Sequence, residues 1–173
     1  FHFFPSFVIN HGLEDPDRHG YQLHASPNHP KSRGEITLNS SDPYDYPKIL
    51  FNYLKEEEDL KQTRECIHVA RKILSQPALA EHAGDEVGPG FDAQSDDELN
   101  EYIRSKADTA YHPCGTCKMG VDDMAVVDQD LKVNGIGNLR VIDASVIPEI
   151  PSANLNAPTL MIAEKGSEAI LNN

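Results

Sequence analysis

The feature that most constrains the fold is a change of hydrophobic period along the chain. The first fifty residues carry short apolar or alternating runs, FHFFPSFVI, GYQLHAS and GEITLNS, separated by Gly, Pro, Asn and Asp clusters that supply turns. These predict three or four strands. From Glu56 to Gln76 the period becomes helical, with Leu60, Ile67, Ala70 and Leu74 on one face and an acidic first turn that suits the helix dipole. Ser95 followed by Glu98 has the form of a capping box, and Leu99, Tyr102 and Ile103 share the face of a second, shorter helix. Leu139 to Ile142 reads as a short strand. From Pro158 to about Leu171 a closing helix buries Leu160, Met161, Ile162, Ala163, Ala169 and Ile170, with Asn156 or Ala157 near its cap. Strands, a helical middle, a strand and a last helix predict an α+β fold, mainly antiparallel sheet covered by helices.

At 173 residues the chain has room for one domain with a real core, and 1–173 is taken as one. Its 39% hydrophobic and 25% charged residues are those of a soluble globular protein. No apolar run approaches the roughly 18 residues of a membrane span. A net charge of -13 disfavours nucleic acid, whose binding needs Lys and Arg against phosphates. The acidic balance could draw a cationic substrate, but Glu56, Glu57 and Glu58 read as a solvated helix face. Three cysteines do not make a disulfide framework, and no cleavable signal is evident, which favours a reducing compartment. The start at Phe1, directly in a strand-like run, reads as a cut through a longer protein.

The densest chemistry lies in YHPCGTCKMG, Tyr111 to Gly120. As a metal site, His112, Cys114 and Cys117 are soft ligands, but structural zinc takes four and no second cluster is present, so no metal is expected. Cys114 and Cys117 also have redox-pair spacing, although the following GVDDM does not open a helix. The plain alternative is a glycine turn with buried thiols and a structural histidine.

The sequence is more specific when HPCGTCKMG is followed through AVVDQDLKVNGIGNLRVIDASVIP to SANLNAPTLMIAEK. In this order and spacing the segments resemble the C-terminal signature of the glucose-methanol-choline (GMC) oxidoreductases. FHFFPSFVINHG, GYQLHASPNHPKSRGEITLNSSDP, PKILFNYL and KADTAYHP are similar to stretches of the choline-oxidising members, so the resemblance spans essentially the whole chain.

The resemblance implies FAD as cofactor of a full-length parent, an alcohol substrate, choline first, and hydride transfer to flavin. It places His112 as the base that accepts the hydroxyl proton, a role suited to imidazole, which ordinarily titrates near neutral pH. Asn154 falls where the family has a second His or Asn, able to hydrogen-bond the developing alkoxide. Asp143 and Ala144, with Asn156 and Thr159 at the last helix, match its cofactor-contact region, where a helix N-terminus suits phosphate or an electron-rich ring edge.

Two departures stand out. The choline-oxidising members carry Ser-Cys-Thr-Cys after His-Pro, whereas this chain has Cys114-Gly115-Thr116-Cys117. The G-x-G-x-x-G fingerprint is also missing, since Gly135-Ile136-Gly137 continues as Asn138-Leu139-Arg140. The expected partner is therefore a separate N-terminal FAD-binding half, without which the chain is a cap domain that lacks turnover and self-associates. Cytoplasm, or the inner face of the membrane, is the expected location.

Overall fold

The computed structural model describes residues 1–172. Its strands are β1 (His2–Phe4), β2 (Gln22–His24), β3 (Glu35–Thr37) and β4 (Lys48–Leu50), and its helices are α1 (Glu57–Leu74), α2 (Asp96–Lys106) and α3 (Asn156–Leu171). Both strand pairings are antiparallel, β1 with β2 and β3 with β4. The chain is thus α+β, with its antiparallel structure divided between two ribbons. Of the helices described, none is long and apolar enough to cross a membrane.

The chain folds as two compact units, each drawn from two segments. The first comprises Phe1–Ser32 and Tyr53–Ala107. In it, β1 pairs His2 with His24, Phe3 with Leu23 and Phe4 with Gln22. Helix α1 has Glu57, Glu58 and Asp59 in its first turn and Arg71 and Lys72 in its last, so both ends complement the dipole. It packs against α2, and Leu60, Leu99 and Ile103 are the buried apolar side chains of the pair. Ser95 and Glu98 close a full capping box, as the spacing predicts.

The second unit comprises Arg33–Asn52 and the chain from Asp108 onward. Its ribbon pairs Glu35 with Leu50, Ile36 with Ile49 and Thr37 with Lys48. Val127, Leu131, Val146, Ile147, Leu155 and Ile162 form its core, flanked by half-buried Cys114, Met119, Ala144 and Ile142 among others.

Two local expectations are corrected in this unit. Leu139 to Ile142 forms no strand; it contributes one antiparallel bridge, Arg140 to Lys132, with Val133 N–H donating to Leu139 O at 2.9 Å and Val141 N–H to Leu131 O at 3.1 Å. The ladder cannot extend, because Leu131 (φ 64°) on the facing side and Asn138 (φ 62°), just before Leu139, take left-handed conformations at its two ends. Helix α3 begins at Asn156 rather than at Pro158, so Asn156 is its first residue and not its cap. Pro158 sits within the first turn, where the missing N–H costs nothing.

Candidate functional site

The loop bearing His112 is shaped before it reaches the core. Thr109 N–H donates to Asp108 Oδ1 at 2.7 Å and Tyr111 N–H to Thr109 Oγ1 at 2.9 Å, so short polar side chains turn the backbone here. Tyr111 is then left-handed (φ 59°), an uncommon state for an aromatic residue and a strained one. His112 follows it and is half-buried.

Beyond Pro113 the loop is fixed by main-chain bonds. Cys117 N–H donates to Ser145 O at 3.0 Å and Met119 N–H to Val146 O at 2.8 Å. On the other side Val126 N–H donates to Lys118 O at 2.9 Å and Gly120 N–H to Val127 O at 3.1 Å. Gly115 has φ 88°, a conformation that glycine adopts without strain, and a β-carbon there would lie in van der Waals contact with Ile147 O at 3.4 Å, so the conformation is what calls for glycine. Cys114 and Met119 pack on the core. Burial pushes the Cys114 thiol up, and nearby Arg33 partly offsets this. All three cysteines are free, and among the described residues no group of three or more His, Cys, Asp or Glu converges on a point that could hold a metal ion.

The carbonyls of Ser145 and Val146 belong to a 3-10 turn, Ala144–Val146, capped by Asp143. Asp143 is exposed and extended, and its Oδ1 accepts from Ser145 N–H at 2.8 Å. Ala144 is half-buried against the core. Asn154 is exposed, directly before Leu155, which is buried in the same core. Asn156 is exposed at the start of α3, and Thr159 is half-buried with its hydroxyl donating to Leu155 O at 2.7 Å. The first turn of α3 has neither a side-chain cap nor an acidic residue, whereas α1 and α2 each carry three acidic residues there. Its N–H groups and positive dipole end therefore suit an anionic or electron-rich group.

All six residues singled out in the sequence fall in the second unit. His112 and Asn154 are each a short step along the chain from a residue of one core, Cys114 and Leu155, and no hydrogen bond joins the two among the described residues. The sequence reading missed the part played by Ser145 and Val146, since a backbone carbonyl leaves no residue signature. It also missed an open apolar depression of about 250 Å³ lined by Met119, Val146, Ile147, Pro148, Met161 and Ile162 among others. The proline-rich IPEIPSANLNAP was the one available hint.

Comparison with known proteins fits this geometry. Oxygen-dependent choline dehydrogenase of Klebsiella pneumoniae subsp. pneumoniae is 48% identical over 170 residues, covering 98% of this chain and 31% of the relative. The corresponding protein of Photobacterium profundum is 47% identical over 100% of this chain and 31% of its own length. The chain thus spans about a third of the curated relatives it matches. Pyridoxine 4-oxidase from Mesorbium loti superposes with a TM-score of 0.79 at 33% identity, over 84% of this chain and 28% of that one. A formate oxidase from Aspergillus oryzae, studied for modification of its FAD, gives 0.80 at 29% identity, over 91% of this chain and 28% of that one. Residues 30–163 match the GMC oxidoreductases as a family. With the HPCGTCKMG loop and the SANLNAPT helix entry held on one core, this chain belongs to the GMC oxidoreductase family.

Proposed function

We propose that this chain supplies the proton-handling part of an FAD-dependent alcohol dehydrogenase that converts choline to betaine aldehyde, with His112 as base and Asn154 as partner of the developing alkoxide. The observation that carries the reading is the arrangement of the His112 loop, whose amides at Cys117 and Met119 are bonded to the turn just after Asp143. That arrangement ties a proton acceptor to a cofactor-contact region in a chain 48% identical to a choline dehydrogenase over nearly all its length.

The donor set suits FAD. The uncapped first turn of α3, bearing Asn156 and Thr159, presents N–H groups to an anionic or electron-rich portion, and Asp143 Oδ2, which accepts nothing among the described residues, can receive a hydroxyl. With Ala144, these residues would hold the cofactor. Bound FAD supplies the hydride acceptor.

The rest is the work of this chain. An alcohol yields hydride readily only as its hydroxyl loses a proton, and His112, half-buried at the end of a strained turn, takes that proton. Asn154 donates its amide N–H to the oxygen as charge develops, without competing for the proton.

The decisive experiment is rapid-mixing measurement of flavin reduction by choline in the FAD-loaded full-length enzyme carrying this sequence. His112→Ala should slow reduction at least about 100-fold. A wild-type rate in that variant would remove His112 as the base. Faster reduction by another primary alcohol would reassign the substrate and leave the proton chemistry standing.

A second reading concerns the chain alone, and the β3–β4 ribbon motivates it. Every residue of the two strands is exposed, Ile36 by 51% and Ile49 by 55%, and a two-stranded ribbon is marginal by itself. The isolated chain is then a cap domain without turnover that self-associates through this surface. A monodisperse monomer in analytical ultracentrifugation would contradict the self-association.

A further inference from the structure

We propose that Asp143 is a positioning residue for His112, acting as a hydrogen-bond acceptor through the 3-10 turn that it caps. The proposal rests on His112 being the base. It assigns Asp143 a task separate from any contact with cofactor, carried by Oδ1 while Oδ2 stays available.

The chain of contacts is short and continuous. Asp143 Oδ1 accepts from Ser145 N–H at 2.8 Å, and Asp143 O accepts from Val146 N–H at 3.3 Å, so one residue satisfies two successive amides of the turn. An amide shares its rigid plane with the preceding carbonyl, so the Ser145 bond orients Ala144 O, which accepts from Ile147 N–H at 3.2 Å and thereby orients Val146 O, while the Val146 bond orients Ser145 O. Ser145 O and Val146 O are the acceptors that hold Cys117 and Met119. The anchor can transmit a displacement because the turn has nowhere to relax. Val146 is fully buried, Ile147 is 8% exposed, and Ile147 O closes on Gly115.

Between that anchor and His112 lie only Pro113 to Thr116, including a glycine at φ 88° and a proline of fixed φ. A shift of the turn therefore moves the imidazole relative to the alcohol. Misplacement on the order of 1 Å at a reacting group can cost about 100-fold in rate.

The substitution that separates this role from an electrostatic one is Asp143→Asn. Its amide oxygen retains the acceptor for Ser145 N–H and loses the charge. Asp143→Ala loses both.

The test measures flavin reduction by choline in the FAD-loaded full-length enzyme, with FAD content read from the visible spectrum. Asp143→Ala should slow reduction by roughly 10- to 100-fold with a much smaller change in the apparent affinity for choline. Asp143→Asn keeps the acceptor for Ser145 N–H but not Oδ2, so in the FAD-loaded protein it should recover most of the rate lost in Asp143→Ala, while FAD affinity falls in both variants. In a His112→Ala background, Asp143→Ala should add no further loss, because a positioning residue has nothing left to position. Should Asp143→Ala fail to hold FAD, Asp143→Asn in the FAD-loaded state decides, a loss smaller than about tenfold supporting the role and a larger one overturning it. Equal losses in the Asn and Ala variants, or a full additional loss without His112, would overturn the proposal while leaving His112 as the base. A wild-type rate in His112→Ala alone would instead overturn the base assignment, and the positioning role with it.

Discussion

The carboxylate of Asp59 accepts the amide of Ser32 at 2.7 Å, while its other oxygen accepts the amide of Lys31 at the same distance. Asp59 is 3% exposed, in the first turn of α1, so a buried charge joins two segments of the first unit. Such a group is stable only while its acceptors are filled.

Asp59→Ala strands both amides and should destabilise the first unit by about 3–5 kcal/mol, from two bonds to a charged acceptor. Asp59→Asn keeps one acceptor and should lose about half as much. Urea unfolding followed by far-UV circular dichroism measures both. Equal stability of the two variants would mean that the carboxylate is not the link between these segments.

Gly166 lies inside α3, where alanine would ordinarily gain about 1 kcal/mol of helix propensity. A β-carbon at this position would lie 2.5 Å from Ile142 Cγ2 and 2.8 Å from its Cδ1. Gly166→Ala should therefore cost about 1–3 kcal/mol through overpacking. In an Ile142→Ala background the steric conflict is gone, and the same change should become stabilising. Paired thermal melts of the four proteins test for that reversal of sign.

Ser95 and Glu98 make the third expectation one of pH. The Ser95 amide and hydroxyl, followed by the Gln94 amide, hold the Glu98 carboxyl below its ordinary 4.5. A depressed folded value contributes stability above the unfolded pKa and loses it as pH falls through the folded one. Glu98→Gln should thus flatten the acid limb of the stability profile, leaving the neutral region less altered than Ser95→Ala, which removes about 1 kcal/mol of capping. Melting temperature followed down the acid range distinguishes the two.

These contacts show what the sequence could disclose. The Ser95 box was legible because its partners are three residues apart and the residue types are diagnostic. The bonds of Asp59 cross 27 and 28 positions, and nothing local separates a buried aspartate from its exposed neighbours Glu56 and Glu57. The same division runs through the site. His112, Asn154 and the helix entry are singled out by side-chain identities in a specific order. The left-handed Tyr111 and the carbonyls of Ser145 and Val146 are not, because main-chain geometry is decided by the packing of distant segments. Leu139 to Ile142 misled because three apolar residues around Arg140 indicate burial without ensuring a partner strand.

From Gly115 to Gly120 the loop that follows His112 is fastened by amides and carbonyls on both flanks, and only the glycine at 115 is dictated by conformation. Fastening of this kind is indifferent to side-chain identity. Exposed Thr116 can consequently be varied while the scaffold stays in register, whereas Pro113, outside the fastened stretch, keeps its fixed φ for the step to His112.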